Sequence, residues 1–477
     1  MVKVVATLVL TICLLGLIGL SLVFNDRPRA VRADRSPSPE LRVSAQATVP
    51  AQKPATSAAQ LLQISHVADV HLTFTADAWR TLTPVPSDTS NSRSDGFLGP
   101  EGKRNGISAM NGLDFEYVHA AMELDGKRFA DVGVRYKGNG TYRTGRQASK
   151  VSLKVDLNKY AKGQKFDGLS TINLHNTITD ASWMNEALAY RLYRDAGVPA
   201  PRTGYARVFV TVPGKYTRQY LGLYTLVENV DAHFAADRFH AEDGAIFKPV
   251  TEQPFDDLGS SWARYNQTYD PKTDLTLGDQ QRIIDFCKLV THASDADFTA
   301  RIGEFLDIPA FATYAAVLVW LQNPDSILQQ GQNYYVYLHP STRRLAFIPW
   351  DQDHSFGSFP FPVGNASDFF HPWVQNIRFL QRIFRVDAFK TAYIAELKRL
   401  SESVFRPSRF AEQVDQLAPM LRPLVAEDPL RERLALFDLA VSGRVFNRPL
   451  YGGRTTPIKP FAEQRTADLI AALRTAR

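Results

Sequence analysis

Residues 321–357 read LQNPDSILQQGQNYYVYLHPSTRRLAFIPWDQDHSFG, and this stretch decides the fold class. "NYYVYL" and "LAFIPW" are short apolar runs on either side of a polar "HPSTRR" turn, so they predict two paired strands. The second run ends abruptly in Asp351, with Asp353 two positions on and Gly357 close behind. A strand leaving the core is a rigid support from which functional side chains project. Carboxylates at i and i+2 share one face of a strand, and a bend at the exit would let both approach one cation. Hard oxygen donors suit Mg²⁺ or Mn²⁺. A plain turn, with Asp353 bonding its own backbone, would use the same letters.

Around this pair the chain reads as helix. "DQQRIIDFCKLV" and "IPAFATYAAVLVWLQ" precede it, while "TAYIAELKRLSESVF", "VDQLAPMLRPLVAE" and "RTADLIAALR" follow. Before Val250 strand signals dominate. "AAMELDGKRFADVGVRYKG" places two alternating runs around Asp125-Gly126, a hairpin signature. "KVSLKVDL" puts Val151, Leu153 and Val155 on one face and Ser152, Lys154 and Asp156 on the other. "ARVFVTV" and "YLGLYTLVENV" add two more strands. "ASWMNEALAYRLYRDAG" predicts a helix capped by Asp180, striped by Met184, Leu188 and Leu192, and ended by Gly197. The sequence therefore predicts an α+β fold with a β-rich N-terminal lobe over 61–250 and a helical C-terminal lobe over 251–477 carrying the metal site. At 477 residues, two lobes fit better than one compact core.

The first 26 residues read differently. Val4 to Phe24 form a nearly unbroken apolar run of bilayer-spanning length, followed by Arg27, Arg29, Arg32 and Arg35. No convincing small-residue cleavage site follows, so residues 1–26 predict an uncleaved transmembrane signal-anchor and a membrane-anchored chain. The arginines argue for a cytoplasmic catalytic part and the signal-type placement for export; the extracytoplasmic side is the expectation adopted here. Residues 27–60, rich in Pro, Ser and Ala, read as a flexible linker. Residues 86–112 read as an inserted polar loop.

Composition narrows the chemistry. A net charge of +6 suits a phosphate-bearing ligand or an anionic surface, but lysines and arginines are scattered, which argues against a nucleic-acid partner. The two cysteines are Cys13, inside the apolar run, and Cys287, which excludes a disulfide scaffold or a cysteine-based zinc site in the folded part. No H-E-x-x-H pattern occurs among the ten histidines.

Asp325 follows a long apolar helix, Asn333 opens the hairpin and Asp351 closes it. Protein kinases use this order: a catalytic aspartate, a metal-binding asparagine, a short hairpin, a metal-binding aspartate. Singly, Asp325 also reads as a turn residue after Pro324 and Asn333 as a strand-edge residue. "YKGNGTYRTG" supplies Gly138, Gly140 and Gly145 beside Lys137 and Arg143. A glycine-rich turn between strands lets backbone N–H groups approach phosphates, although many such turns are only turns. Lys154 and Lys150 would share the polar face of their strand, facing either phosphate oxygens or solvent. Glu186, in the first strong helix after Lys154, would orient that lysine or remain an ordinary exposed glutamate. Glu228 and Asp231 end a strand where an adenine or ribose could lie, with a helix cap as the other reading for Asp231.

In order, "VRYKGNGTYR", "KVSLKVDL", "LHNTITDASWMNEALAYRLYRDAGVPAPR", "GLYTLVENVD", "QNYYVYL" and "FIPWDQDHSFG" resemble the spore-coat CotH kinase family, atypical secreted-kinase-like proteins. The resemblance runs from about Leu61 to Gly357, with a weaker helical continuation. It implies a two-lobed atypical kinase-like fold that binds ATP with Mg²⁺ or Mn²⁺ and phosphorylates a protein substrate. It implies Asp351 as principal metal ligand, Asn333 and Asp353 as further metal contacts, and Asp325 as catalytic base or metal-side carboxylate. Lys154 would hold the α/β-phosphates with Glu186 as its helix partner. Gly138, Gly140 and Glu228 would line the nucleotide. The chain lacks H-R-D and D-F-G, so ordinary kinase motifs do not certify activity. Two other readings compete: a non-catalytic scaffold or binding module at the cell envelope, and a sugar-nucleotide transferase using D-x-D. The absence of a doubly wound βαβ pattern in the N-terminal half weighs against the transferase.

Overall fold

The computed structural model describes residues 52–84, 98–99, 105–110, 112–358, 368–373, 376–430, 433–443, 449–450, 453–454 and 457–475. Most of the 86–112 insertion lies outside them.

Alternation builds the first half. β1 (Val67–Thr73), β2 (Val118–Leu124) and β3 (Lys127–Tyr136) are followed by β4 (Leu153–Asp156), β5 (Thr171–His175), β6 (Thr203–Val212) and β7 (Tyr216–Val227). Asp125 (φ 47°) and Gly126 (φ 81°) are both left-handed between β2 and β3, as a two-residue type I′ turn requires. The strands close a barrel in the order β1-β2-β3-β4-β5-β7-β6, sealed by the parallel pair β1 and β6. Closure leaves the barrel without free edges. Arg135, Lys154 and Asn173 occupy one rung across β3, β4 and β5.

Two segments depart from the sequence reading. The glycine-rich stretch after β3 is not a simple turn: it leads into a helix, α1 (Gly140–Gln147). Gly138 (φ 102°) makes the corner, and a Cβ there would come within 2.5 Å of Thr141 Oγ1. The next helix, α2 (Asn185–Ala196), starts later than predicted, with Met184 at the cap position. Asp180 instead organises the turn before it, accepting from the N–H groups of Ser182 and Asn185, both at 2.8 Å. Gly197 (φ 94°) ends α2 as expected.

In the second half, β8 (Ala245–Phe247), β9 (Tyr334–Leu338) and β10 (Leu345–Pro349) form a sheet in the order β10-β9-β8. The β9–β10 hairpin is the one read from the sequence; β8, only three residues long, was not. Around it lie α3 (Leu277–His292), opened by a Thr276–Asp279 capping box, and α4 (Ile308–Leu321), capped by Asp307. Then come α5 (Asp387–Ser401), α6 (Pro407–Glu427), α7 (Leu434–Ser442) and α8 (Ile458–Thr475).

The fold is α+β, with a β-rich barrel followed by a largely helical region. One hydrophobic core joins Val67, Tyr205 and Leu223 of the barrel to Val336 and Phe347 of the hairpin and Trp320 of α4. The joint is α2, which is buried on nearly every side: Tyr193 stacks on Tyr314 of α4 at 5.7 Å. On the barrel side, the Tyr205 hydroxyl donates to the Trp183 carbonyl at 2.9 Å. Polar residues of α2 such as Asn185 and Glu186 are buried along with its apolar ones, so α2 serves as a joint between barrel and helices rather than as a surface element.

The predicted membrane segment is corrected. No helix among the described residues is long and apolar enough to cross a membrane. The run Val4–Phe24 that suggested one lies outside those residues. Neither a transmembrane anchor nor a membrane-anchored, extracytoplasmic location is retained.

Candidate active site

The exit of β10 is a left-handed turn. Asp351 has φ 53°, and its N–H donates to the Tyr190 hydroxyl at 2.9 Å. That hydroxyl donates in turn to Glu186 Oε1 at 3.2 Å, one helical turn back along α2. The Asp351 carboxylate has no hydrogen-bond partner among the described residues. Behind it, Trp350 N–H bonds the Asn333 carbonyl at 3.1 Å. Asn333 Nδ2 donates to the Asp325 carbonyl at 2.9 Å, and Gln332 Nε2 donates to Asp325 Oδ1 at 2.7 Å. Asp353 accepts from the Thr179 hydroxyl, and its own carbonyl accepts from Asn185 Nδ2 at 3.0 Å. Asp325 and Asn333 are thus tied to the turn that carries Asp351 and Asp353, and Asp325 and Asp353 both feel the charges of Asp351 and His354.

This cluster is short of positive charge. Burial, opposed by His354 and reinforced by Asp351, pushes Asp353 up to about 7. Burial raises Asp325 as well, with His354 opposing and Asp351 adding to it. Burial and Asp351 push Glu186 up to about 8. One ligand atom each from His175, Glu186 and Asp351 lie within 4.8 Å of one another. Carboxylates that hinder one another's ionisation favour a cation among them, and this oxygen-rich donor set fits Mg²⁺ or Mn²⁺.

A second wall is cationic. His175, at the end of β5, meets Lys137 Nζ through Nε2 and Glu186 Oε2 through Nδ1 at 2.8 Å. A neutral imidazole satisfies both contacts when Nε2 accepts from the ammonium and Nδ1–H donates to the carboxylate. Burial and the Lys137 charge hold His175 well below its usual range. Burial, opposed by Asp351 and Glu186, brings Lys137 down to about 7. Burial, Arg135 and Lys272 bring Lys154 down to about 8. Burial, Lys137 and Lys272 hold Lys248 well below its usual range. The ammoniums of Lys137 and Lys248 lie 5.0 and 5.3 Å from the centre of the Trp350 ring. Neither Lys154 nor Lys248 has a side-chain hydrogen-bond acceptor among the described residues. A polyanion would relieve the crowding of these cations.

The expected direct pairing of Lys154 with Glu186 is not made. Glu186 is buried at 3% exposure and bonds His175 and Tyr190, so the lysine linked to it, through His175, is Lys137. Gly138 and Gly140 lead from β3 into α1, just after Lys137. Glu228 is engaged elsewhere: Arg202 bonds both its oxygens, and Arg238 donates to Oε2 at 3.0 Å. Asp231 caps the helix Ala232–Phe239. Sequence reasoning missed His175, Tyr190 and Lys248. Lys137 was visible as a base beside the glycines, but its link to Glu186 was not.

Comparisons with known proteins agree on a family. The family described as "CotH kinase protein" matches residues 134–468. Inner spore coat protein H of Bacillus subtilis (strain 168) is 26% identical over 325 residues, covering 67% of this chain and 84% of that protein. Among solved structures, a chain from the HipA–HipB toxin–antitoxin complex with its operator DNA, from Shewanella oneidensis MR-1, aligns at 13% identity. That alignment covers 68% of this chain and 63% of the other, less than two thirds of its length, at a TM-score of 0.22, too loose to bear on fold or function.

Proposed function

The chain belongs to the CotH kinase protein family, and from that premise we propose that it transfers a phosphoryl group from ATP to protein hydroxyls, assisted by Mg²⁺ or Mn²⁺. The observation that carries this reading is the meeting of a carboxylate cluster around Asp351 with a wall of half-buried lysines in one site. In-line phosphoryl transfer asks for little covalent chemistry; it needs the phosphates held, their charge neutralised and the attacking hydroxyl oriented.

A divalent ion at Asp351 would supply the charge neutralisation on the phosphate oxygens. Asp351 and Asp353 would hold it. Asn333, with Nδ2 spent on the Asp325 carbonyl, would offer Oδ1. Lys137, steadied by His175 and Glu186, would face the phosphates together with Lys154 and Lys248. Asp325 would accept the proton of the attacking hydroxyl, a task suited to a carboxylate whose basicity burial has raised.

The first test is binding. Mn²⁺ and ATP together should raise the melting temperature of the wild-type protein, and Asp351→Asn should lose most of that rise while staying folded. A wild-type melting temperature indifferent to both ligands would favour the non-catalytic scaffold.

A further inference from the structure

Beyond the carboxylate cluster, the end of α6 reaches into the barrel through charges that the mechanism does not use. Lys150, between α1 and β4, bonds Asp428 at 2.7 Å with both side chains fully buried. Asp428 Oδ2 also accepts from Leu223 N–H of β7 at 2.8 Å, and Oδ1 accepts from Leu430 N–H at 3.0 Å. The approach needs Gly222 (φ 128°), where a Cβ would stand 2.6 Å from Asp428 Oδ2. Five residues after Asp428, Arg433 is 1% exposed and lies over the Trp183 ring at 4.3 Å. Its Nη1 donates to the Thr177 carbonyl at 2.9 Å and its Nη2 to the Asp180 carbonyl.

The segment that Arg433 grips is strained. Thr177 (φ 52°) and Trp183 (φ 55°) are left-handed, a conformation that β-branched and bulky residues adopt only when their surroundings enforce it. The same segment holds the carboxylate turn from its other side. Thr179 donates to the Asp353 carboxylate, and Asn185 Nδ2 donates to the carbonyls of Asp353 and Ser355 at 3.0 and 3.3 Å. A continuous path of bonds therefore runs from Arg433 through residues 177–185 to the turn after β10.

We propose that Arg433, docked by the Asp428–Lys150 pair, is a positioning residue that sets the Asp353 carboxylate through the strained segment 177–185. The inference rests on the metal-binding role given to that turn above. Without Arg433 the Asp180 carbonyl loses its guanidinium donor and the Thr177 carbonyl keeps only the Asp180 N–H at 3.1 Å, so Thr177 can relax and the Thr179 hydroxyl no longer meets Asp353.

The test is a double-mutant cycle on Arg433→Met and Thr179→Val, read as the Mn²⁺ concentration giving half-maximal thermal stabilisation at fixed ATP. Each single change should raise that concentration about tenfold, the usual cost of losing a residue that orients a metal ligand. The double variant should be little worse than either, because both act on one path. A lower melting temperature for Arg433→Met with an unchanged Mn²⁺ midpoint, or additive effects in the double variant, would overturn the proposal. Should Arg433→Met fail to fold, Arg433→Lys, which keeps the charge but not the two-carbonyl fork, takes its place. It should show an intermediate midpoint, and a wild-type one would count against the proposal. Wild-type protein without any Mn²⁺ response would bring down the functional reading and this inference with it. A normal wild-type response with unaffected variants would bring down the inference alone.

Discussion

Asp351 owes its position to a hydroxyl on another element: its left-handed backbone N–H ends on Tyr190, which also holds Glu186. Tyr190→Phe would leave both groups without that partner. It should cost about 1–3 kcal/mol of stability, as lost buried hydrogen bonds do, and weaken Mn²⁺ binding about tenfold, measurable by calorimetry and titration. The acids also make a pH prediction. Folding raises Asp353 to about 7 and Glu186 to about 8, above their ordinary carboxylate values, so the folded state holds protons that the unfolded state releases. Their contribution to metal-free stability is therefore full at low pH and lost as pH rises through about 7 to 8. Asp353→Asn removes one of these penalties. Its melting temperature should gain on wild type between about pH 5 and about pH 8.5; a gap constant across that range would refute the assignment. Mn²⁺ should stabilise the wild type more at the higher pH, where the carboxylates are free to bind it.

Elements with a clear period were legible. β2, β4 and the β9–β10 hairpin follow from alternation or short apolar runs, and Gly197 ends α2 where a left-handed cap was expected. The rest depended on partners distant in sequence. α1 was hidden because Gly138, Gly140 and Gly145 read as turn residues, yet Gly145 sits inside the helix where a Cβ would strike the Lys150 carbonyl at 2.5 Å. Asp180 looked like a helix cap and instead braces the turn before α2. In the site, the acids stood out at the ends of a helix and a strand. His175 did not, since it closes an otherwise ordinary buried strand and its partners lie 38 residues before it and 11 after. The bend into α1 gives a test at this scale. Gly138→Ala forces a side chain into φ 102° against Thr141, should cost about 1–3 kcal/mol, and should displace Lys137 beside it. The stabilisation by ATP ought to shrink more than that by Mn²⁺ alone; equal losses would detach the bend from the phosphates.

At the scale of the whole molecule, Val67, Tyr205, Leu223 and Val227 of the barrel pack into the core of the helical region, with α2 as the joint. Because of that joint, scanning calorimetry should give a single unfolding transition, and two separable ones would show that barrel and helices unfold independently. The unity matters for function, since Lys137 leaves β3, Glu186 lies on α2 and Asp351 follows β10, elements that only a common core can keep in register. The most direct trial of the account follows the label from γ-³²P-ATP into protein, either the chain itself or casein, with Mn²⁺ present. Wild-type protein should transfer label, chelation of the metal should stop it, and Asp351→Asn should lower the rate by about 10²–10³-fold, the scale of losing a main electrostatic stabiliser. Metal-dependent transfer by Asp351→Asn at the wild-type rate would contradict the account.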